Sequence, residues 1–255
     1  MTSRTVPLYP DLAVTLTEEG DGRPALVLHG GGGPATVTGL AAHLGRGMRA
    51  ITPTHPGWDG AARPGWFTGI DDLALAYLHL LHDLGLRDVL VVGSSLGGWT
   101  AAEMAVRDNG GAITGLVLID AVGVAIEGEP ITDFFALDAR GVAEHSWYDP
   151  DRYYADPATV PAEQANRQQA NMATMRVLAG DPYMHDPKLL RRLARVDVPA
   201  LVVWGGSDGI VTPAYGAAYA AALGDARFET VRKAGHLPHI ERPDATFALL
   251  DTMPG

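Results

Sequence analysis

The amino-acid sequence predicts an α/β fold: a mostly parallel, doubly wound sheet into which a helical cap is inserted. Short apolar runs have the character of strands buried on both faces, since they lack polar alternation. Longer amphipathic segments lie between these runs, and this alternation is typical of a parallel sheet with right-handed crossovers. One long stretch, 122–188, contains no strand-like run. With 255 residues, 47% of them hydrophobic, the chain can bury one large core.

Six strands and three helices are predicted along the chain. The first helix, 70–84, has acidic residues in its first turn, ends at Gly85 and buries one apolar face. The second begins after the N-cap Thr212 with Pro213 at its first position, and the third covers about 244–251. The strands are expected at 25–30, 49–55, 88–93, 115–120, 200–205 and 226–232. The apolar face of the first helix contains Leu73, Tyr77, Leu80, Leu81 and Leu84.

The stretch 122–188 is predicted to be a helical cap over a binding site. It follows the carboxyl end of a predicted strand, and open parallel sheets place their ligand crevice at that edge. We therefore expect 1–121 and 189–255 to form the core, with 122–188 as a lid. Aromatic residues and methionines gather in this lid, and most of them are expected to form its own small core. The candidates for contact with a substrate are Phe134, Phe135 and Trp147.

Composition excludes several classes of function. Lys and Arg number 19 against 30 Asp and Glu, and the formal net charge of −11 disfavours nucleic acid and anionic membranes as partners. Without cysteine the chain has no disulfide, thiolate metal site or cysteine nucleophile. The N-terminus lacks a long apolar segment, so we expect a cytoplasmic protein that acts on a small molecule. Composition does not predict an oligomeric state.

Two adjacent serines between glycines, in VLVVGSSLGGWT (89–100), raise the question of which one is a nucleophile. A catalytic serine is presented on a tight turn from strand to helix, where the positions two before and two after it must be small. Those positions are Gly93 and Gly97 for Ser95, and Val92 and Leu96 for Ser94. The spacing therefore predicts Ser95. A chance glycine-rich turn is the alternative explanation of this stretch.

Four motifs in order make the chain resemble the α/β-hydrolase superfamily over nearly its whole length. GSSLGG resembles that family's nucleophile elbow, and VLHGGGGP resembles its oxyanion loop. The other two motifs are similar to the segments that carry the family's acid and histidine. Along the chain the three side chains come in the order Ser, Asp, His, which is the order that this fold uses. The motifs lie at 27–34, 93–98, 202–213 and 233–247.

The expected catalytic residues are Ser95, Asp208 and His236. His236 would accept the proton of Ser95 and pass it to the leaving group, while Asp208 would hold the imidazole tautomer. His239 is a rival base, but it follows a proline and lacks the preceding glycine, so we expect a neighbour of the site or a surface residue. Asp120, at the end of a predicted strand, is a rival acid, and we expect it to be a hinge or hydrogen-bonding residue.

The resemblance also implies an oxyanion hole. Its donors would be the backbone N–H of Leu96 and that of Gly31, or of Gly32 if the loop is shifted. The same glycines could cradle a phosphate, but the loop lacks the Lys-Ser/Thr of a P-loop and the spacing of a dinucleotide fold. His29 in this loop is then structural. No cofactor is expected.

No metal is expected either. His79 and His82 lie three residues apart on a helix, opposite its apolar stripe, and a solvated helix face explains them.

Acyl transfer to water, and so hydrolysis of a carboxylic ester of a small apolar molecule, is the predicted reaction. One alternative is the hydrolase class that cleaves carbon–carbon bonds of vinylogous diketones, although Leu237 and Ser94 stand where those enzymes commonly have Trp and Asn. The other alternative is a binding protein or non-hydrolytic enzyme on the same scaffold. In the loop 54–66, His55 replaces the family's usual aspartate and Ala61 its serine. Further candidates for substrate contact are Ser94, Trp58 and Leu237.

Overall fold

An eight-stranded sheet forms the centre of the computed structural model, which describes residues 1–253. Its strand order is β1-β2-β4-β3-β5-β6-β7-β8, and β3 to β8 are parallel, whereas β1 and β2 are antiparallel. This arrangement confirms the predicted fold class. The strands are β1 (Thr2–Tyr9), β2 (Leu12–Glu19), β3 (Pro24–Leu28), β4 (Arg49–Pro53), β5 (Val89–Ser94), β6 (Ile113–Ile119), β7 (Ala200–Gly205) and β8 (Ala226–Val231).

Helices cover both faces of the sheet. In β3, Leu26 and Leu28 point into one apolar cluster and Ala25 and Val27 into the other, as period-two strands buried on both faces require. The first cluster includes side chains of α2, α3 and α8, and the second those of α1 and α10. The helices are α1 (Thr38–Leu44), α2 (Ile70–Asp83), α3 (Leu96–Ala105), α4 (Ala139–Ser146), α5 (Pro150–Tyr153), α6 (Ala162–Ala179), α7 (Leu189–Arg192), α8 (Pro213–Ala221), α9 (Pro238–Glu241) and α10 (Pro243–Leu250).

The six predicted strands correspond to β3–β8, but the hairpin β1–β2 was not predicted. Most residues of β1 are exposed, and the buried residues of β2 alternate with polar ones. An edge hairpin with one solvated face lacks the apolar run that marks the inner strands. The start of α8 is the one predicted: Thr212 Oγ1 accepts a hydrogen bond from the Tyr215 N–H at 3.1 Å.

Between β6 and β7 the chain leaves the sheet, and the described residues there form α4, α5, α6 and α7 together with short turns. The two ends of this excursion are joined at its base. The N–H of Gly123 donates to Met184 O, and the N–H of Asp186 donates to Gly123 O. We infer from this closure that the cap spans 122–188, between core segments 1–121 and 189–255. Among the described residues, no helix combines the length and apolarity needed to cross a bilayer.

Candidate active site

Ser95 lies at the turn between β5 and α3 with a backbone φ of 55° and ψ of −117°. A side chain at positive φ is strained, and the surrounding chain must approach closely to hold it there. A Cβ on Gly97 would lie 2.2 Å from Leu28 O, and a Cβ on Gly93 would lie 2.2 Å from Gly97 O. Both glycines are therefore required by backbone packing, which is the physical reason for the Gly-x-Ser-x-Gly spacing.

Ser95, His236 and Asp208 form a continuous hydrogen-bonded chain. Ser95 Oγ lies 2.9 Å from His236 Nε2, and His236 Nδ1 lies 2.8 Å from Asp208 Oδ2. Because a carboxylate only accepts, Nδ1 carries the proton and Nε2 is free to accept the serine proton. The other oxygen of Asp208 accepts from the N–H groups of Ile210 and Val211 at 2.8 and 3.2 Å. The carboxylate of Asp208 is thereby fixed, with its side chain fully buried.

The glycine loop after β3 is anchored from its buried side. Trp58 Nε1–H donates to Gly31 O at 2.9 Å, and His29 Nδ1–H donates to Gly30 O at 2.8 Å. In a trans peptide the N–H points opposite to the carbonyl, so the amides of Gly31 and Gly32 face away from these anchors. No residue that the structure describes accepts a hydrogen bond from either amide.

Leu96 begins α3, where the first amides have no partner within the helix. Leu96 and the glycine loop border the same cavity, and Ser95 and His236 also line it. The amides of Leu96 and Gly31, with Gly32 as the neighbouring alternative, are therefore available beside Ser95.

Two stacked histidines support the glycine loop. The rings of His29 and His55 lie 3.6 Å apart, and both are fully buried. The His55 N–H donates to His29 Nε2 at 3.0 Å, and His55 Nε2–H donates to His29 O at 2.9 Å. His55 Nδ1 is left to accept from the Tyr77 hydroxyl at 2.5 Å. With both imidazoles neutral, each of the four ring nitrogens has a hydrogen-bond partner. Burial lowers the pKa of His29 to about 4 and that of His55 well below its usual value.

A cavity of about 630 Å³ opens above Ser95. The core contributes the glycine loop, Ser95, Leu96 and the histidine loop, and the cap contributes mainly aromatic and aliphatic side chains. The predicted contact residues Phe134, Phe135, Trp147 and Leu237 border this cavity. Other residues that the sequence reasoning did not select also border it, among them Thr36, Ser146, Met175 and Tyr183.

Two predicted contact residues do not border the cavity. Trp58 is fully buried behind the glycine loop, where its indole holds Gly31 O, so it supports the loop instead of touching a substrate. Ser94 is 1% exposed, and its hydroxyl has no hydrogen-bond partner among the described residues. It is the last residue of β5, and it is not among the residues that border the cavity.

The rival base and acid are both buried near the site. His239 is 4% exposed, so it is not a surface residue, and its Nε2–H donates to Thr36 O at 3.0 Å. This burial lowers the pKa of His239 to about 4. Asp120 Oδ1 accepts from the Gly205 N–H at 2.8 Å. Burial, and then the neighbouring carboxylate of Asp208, raises the pKa of Asp120 well above its usual value. Asp120 is thus a hydrogen-bonding residue behind the acid.

Potential metal ligands gather at one place in residues 1–253. Candidate ligand atoms of Asp120, Asp208 and His236 lie within 4.8 Å of one another. Asp208 and His236 are already hydrogen-bonded to each other, and His236 is hydrogen-bonded to Ser95, so hydrogen bonding accounts for the cluster. His79 and His82 are exposed on α2, and His79 Nδ1 lies 2.7 Å from the Tyr9 hydroxyl.

Comparison with known proteins identifies one family. A model described as the alpha/beta hydrolase family matches residues 25–249. The chain is 28% identical over 234 residues to a dihydrolipoyllysine-residue acetyltransferase component of an acetoin cleaving system from Pseudomonas putida. That alignment covers 86% of this chain and 60% of the relative. This chain therefore spans less than two thirds of that relative's length.

Two further similarities cover most of both partners. A 2-hydroxy-6-oxo-6-(2'-aminophenyl)hexa-2,4-dienoic acid hydrolase from Metapseudomonas resinovorans is 26% identical over 244 residues, which is 89% of this chain and 82% of the relative. A thermophilic esterase from Thermogutta terrifontis has a TM-score of 0.74 at 20% identity and covers 98% of this chain and 97% of that one. At this identity the esterase shows a shared fold.

Proposed function

The chain belongs to the alpha/beta hydrolase family, and from this premise we propose that it is a serine hydrolase that cleaves a carboxylic ester of a small, largely apolar molecule. The observation that carries the proposal is the unbroken hydrogen-bonded chain from Ser95 Oγ through His236 to the buried Asp208. A hydroxyl is a weak nucleophile unless a base lies within hydrogen-bonding distance, and here that base is itself oriented by an acid.

In the proposed acylation step, Ser95 Oγ attacks the ester carbonyl carbon while His236 Nε2 takes the hydroxyl proton. The carbonyl oxygen becomes an oxyanion, which the amides of Leu96 and Gly31, or Gly32, would stabilise. When the tetrahedral intermediate collapses, the bond to the alcohol oxygen breaks and His236 returns its proton to that oxygen. The alcohol departs and the acyl group stays on Ser95.

Deacylation repeats these events with water. His236 Nε2 takes a proton from the water molecule as its oxygen attacks the acyl carbon, and the same amides hold the second oxyanion. Collapse releases the carboxylic acid and returns the proton to Ser95 Oγ. Asp208 stays ionised throughout and stabilises the imidazolium that forms twice per turnover.

The cavity supports a small and mainly apolar substrate. Its volume of about 630 Å³ lies in the range of small-molecule sites, and its cap side is aromatic and aliphatic. Substrate size is therefore set by the distance between Ser95 and the cap residues Phe134, Phe135 and Trp147.

Hydrolysis of a p-nitrophenyl ester series with increasing acyl length tests the proposal. We expect turnover by the wild type, with an optimum at short to medium chains, and loss of at least about a thousandfold in kcat for Ser95→Ala. The matched control is Ser94→Ala, because the neighbouring serine is buried and does not border the cavity, and it is expected to keep wild-type turnover. An active Ser95→Ala variant would overturn the assignment of the nucleophile.

One relative supports a second candidate reaction. The Metapseudomonas protein is named as a hydrolase of a dienoic acid. If the wild type turns over no ester but Ser95 still reacts with a phosphonate, a vinylogous diketone of that chemical class becomes the next substrate to assay.

A further inference from the structure

The last turn of α4 and the residues after it touch both loops that carry the acid and the base. The Gly209 N–H, next to Asp208, donates to His145 O at 2.9 Å. The His236 N–H donates to Ser146 O at 2.7 Å. The segment 145–149, here called the α4 turn, therefore links the cap to both loops through main-chain hydrogen bonds.

Glu241 ties the same turn to the histidine loop a second time. Its carboxylate accepts from the N–H groups of Tyr148 and Asp149 at 3.1 and 3.2 Å, and from the Gly235 N–H at 2.5 Å. The residue is 5% exposed and makes no ion pair with any cation that the structure describes. Its negative charge is thus stabilised by main-chain amides of the cap and of the residue that precedes His236.

The two segments are in direct main-chain contact at this point. A Cβ on Gly235 would lie 2.3 Å from Ser146 O and 2.8 Å from the Cα of Trp147. Only glycine allows this approach. Because the two main chains are in contact, a shift of the α4 turn displaces Gly235 and with it the neighbouring His236.

The α4 turn also forms part of the cavity wall. Ser146 and Trp147 border the cavity, and the Trp147 ring stacks on Tyr153 with 4.4 Å between centroids. A group that fills the cavity therefore presses on the segment whose carbonyl holds the His236 amide.

We propose that Glu241 is a positioning residue that couples the cap to the catalytic base. A group that occupies the cavity against Trp147 fixes the position of the α4 turn. Through Glu241 the position of this turn determines the position of His236 and so the geometry of its hydrogen bond with Ser95. This inference rests on the proposed hydrolase function and adds to it a route by which acyl-group size controls kcat. A displacement of a reacting group by about 1 Å lowers the rate by about a hundredfold, so a loosened His236 lowers kcat strongly.

The test replaces Glu241 by Gln, which keeps the shape but loses one of the two acceptor oxygens. The matched control is Glu163→Gln, because Glu163 is a 93% exposed residue of α6 far from these contacts in the chain. Two readouts are measured on each protein: kcat and KM for p-nitrophenyl acetate and p-nitrophenyl hexanoate, and the low-field proton resonance of His236 Nδ1–H.

For Glu241→Gln we expect kcat to fall about tenfold or more with little change in KM, since the interaction lost acts on the base. The advantage of hexanoate over acetate should shrink, and the low-field resonance should shift or broaden. Glu163→Gln should match the wild type in both readouts. An unchanged resonance together with an unchanged hexanoate-to-acetate ratio in Glu241→Gln overturns the coupling.

A second variant, Glu241→Asp, keeps the charge and shortens its reach, and it serves where Gln prevents folding. Its kcat should lie between those of the wild type and Glu241→Gln, and wild-type values in both readouts overturn the coupling. The resonance needs no substrate, so it also separates the two proposals. A wild type that hydrolyses no ester contradicts the proposed function, whereas the resonance still decides whether Glu241 positions His236.

Discussion

The strained backbone of Ser95 determines where its hydroxyl lies. The positive φ places the hydroxyl above the sheet, and the neighbouring glycines let the chain cross within 2.2 Å of where side chains would lie. A strained residue of this kind persists only when its surroundings hold it in place.

Gly97→Ala tests that requirement. The new methyl would collide with Leu28 O, a backbone atom that cannot move without displacing β3, so we expect the free energy of unfolding to fall by about 2 kcal/mol or more. Urea unfolding measures the change. Gly65→Ala is the control, since an added Cβ there meets nothing within 4 Å and should leave stability nearly unchanged. Equal stability of the two variants would contradict the account of the turn.

Trp58 lies outside the cavity but holds the glycine loop that borders it. Trp58→Phe removes the N–H that holds Gly31 O, and we expect kcat to fall while KM changes little, with a loss of about 1–2 kcal/mol in stability. The control is Trp66→Phe, because the Trp66 indole is 47% exposed and donates to Asp11 instead. Steady-state kinetics on one ester give kcat and KM for both variants. A kcat for Trp58→Phe equal to that of Trp66→Phe would show that the loop needs no such anchor.

At the scale of elements, α6 attaches the cap to the loop after β4. Asn171 Oδ1 accepts from the Asp59 N–H at 2.8 Å, and Asn171 Nδ2 donates to Asp59 Oδ1 at 2.9 Å. The hydroxyl of Thr174 donates to Gly57 O at 3.0 Å. One face of α6 is therefore hydrogen-bonded to the core, and Met175 on that face packs on Gly31.

Asn171→Ala should loosen this attachment. Two hydrogen bonds are lost and the Asp59 amide is left without its partner, so we expect about 1–3 kcal/mol of destabilisation and faster proteolytic cleavage within the cap. Asn166→Ala, an exposed position on the same helix, is the control. Limited proteolysis measures the rate of cleavage in the two variants, and urea unfolding measures their stability. If the two variants are cleaved at the same rate, the Asn171–Asp59 pair does not hold the cap.

The inner strands could be predicted because both of their faces are buried, which removes polar alternation from the sequence. The hairpin β1–β2 could not, since its outer strand is solvated and its period-two pattern is short. The Gly-x-Ser-x-Gly spacing pointed to Ser95, and the resemblance of two further motifs pointed to Asp208 and His236. The fold brings these three residues within hydrogen-bonding distance. Spacing says nothing of which side of a loop a side chain takes, so Trp58 was expected in the crevice and lies behind it.

Contacts between the cap and the core were the least predictable part. Glu241 accepts hydrogen bonds from residues about 90 positions earlier in the chain, and no local pattern marks such a partnership. The same holds for Asn171 and Asp59, which are 112 positions apart. Only the assembled molecule brings these residues together.

For the whole molecule, buried neutral histidines make stability depend on pH. Burial lowers the pKa of His29 and His239 to about 4, whereas the unfolded chain binds these protons near pH 6.5. Below pH 6.5 the unfolded state is therefore the one that gains protons, and stability falls until the folded pKa is reached near pH 4.

We expect the free energy of unfolding to decrease between pH 6.5 and 4.5, with roughly 3 kcal/mol from each of the two histidines at the acid limit. In His239→Gln the slope should be shallower, because that share is removed while an amide can still donate to Thr36 O. Urea unfolding at several pH values gives both slopes. Parallel slopes for the wild type and the variant would contradict the assignment of a neutral, buried His239.

The central claim is that Ser95 is a nucleophile activated by His236 and Asp208. Its most direct test is the intact mass of the protein after reaction with a serine-directed fluorophosphonate, followed by mapping of the modified peptide. The account predicts one phosphonyl group per chain, on Ser95, and none in Ser95→Ala. A folded wild type that stays unmodified, or a label that persists in Ser95→Ala, would contradict it.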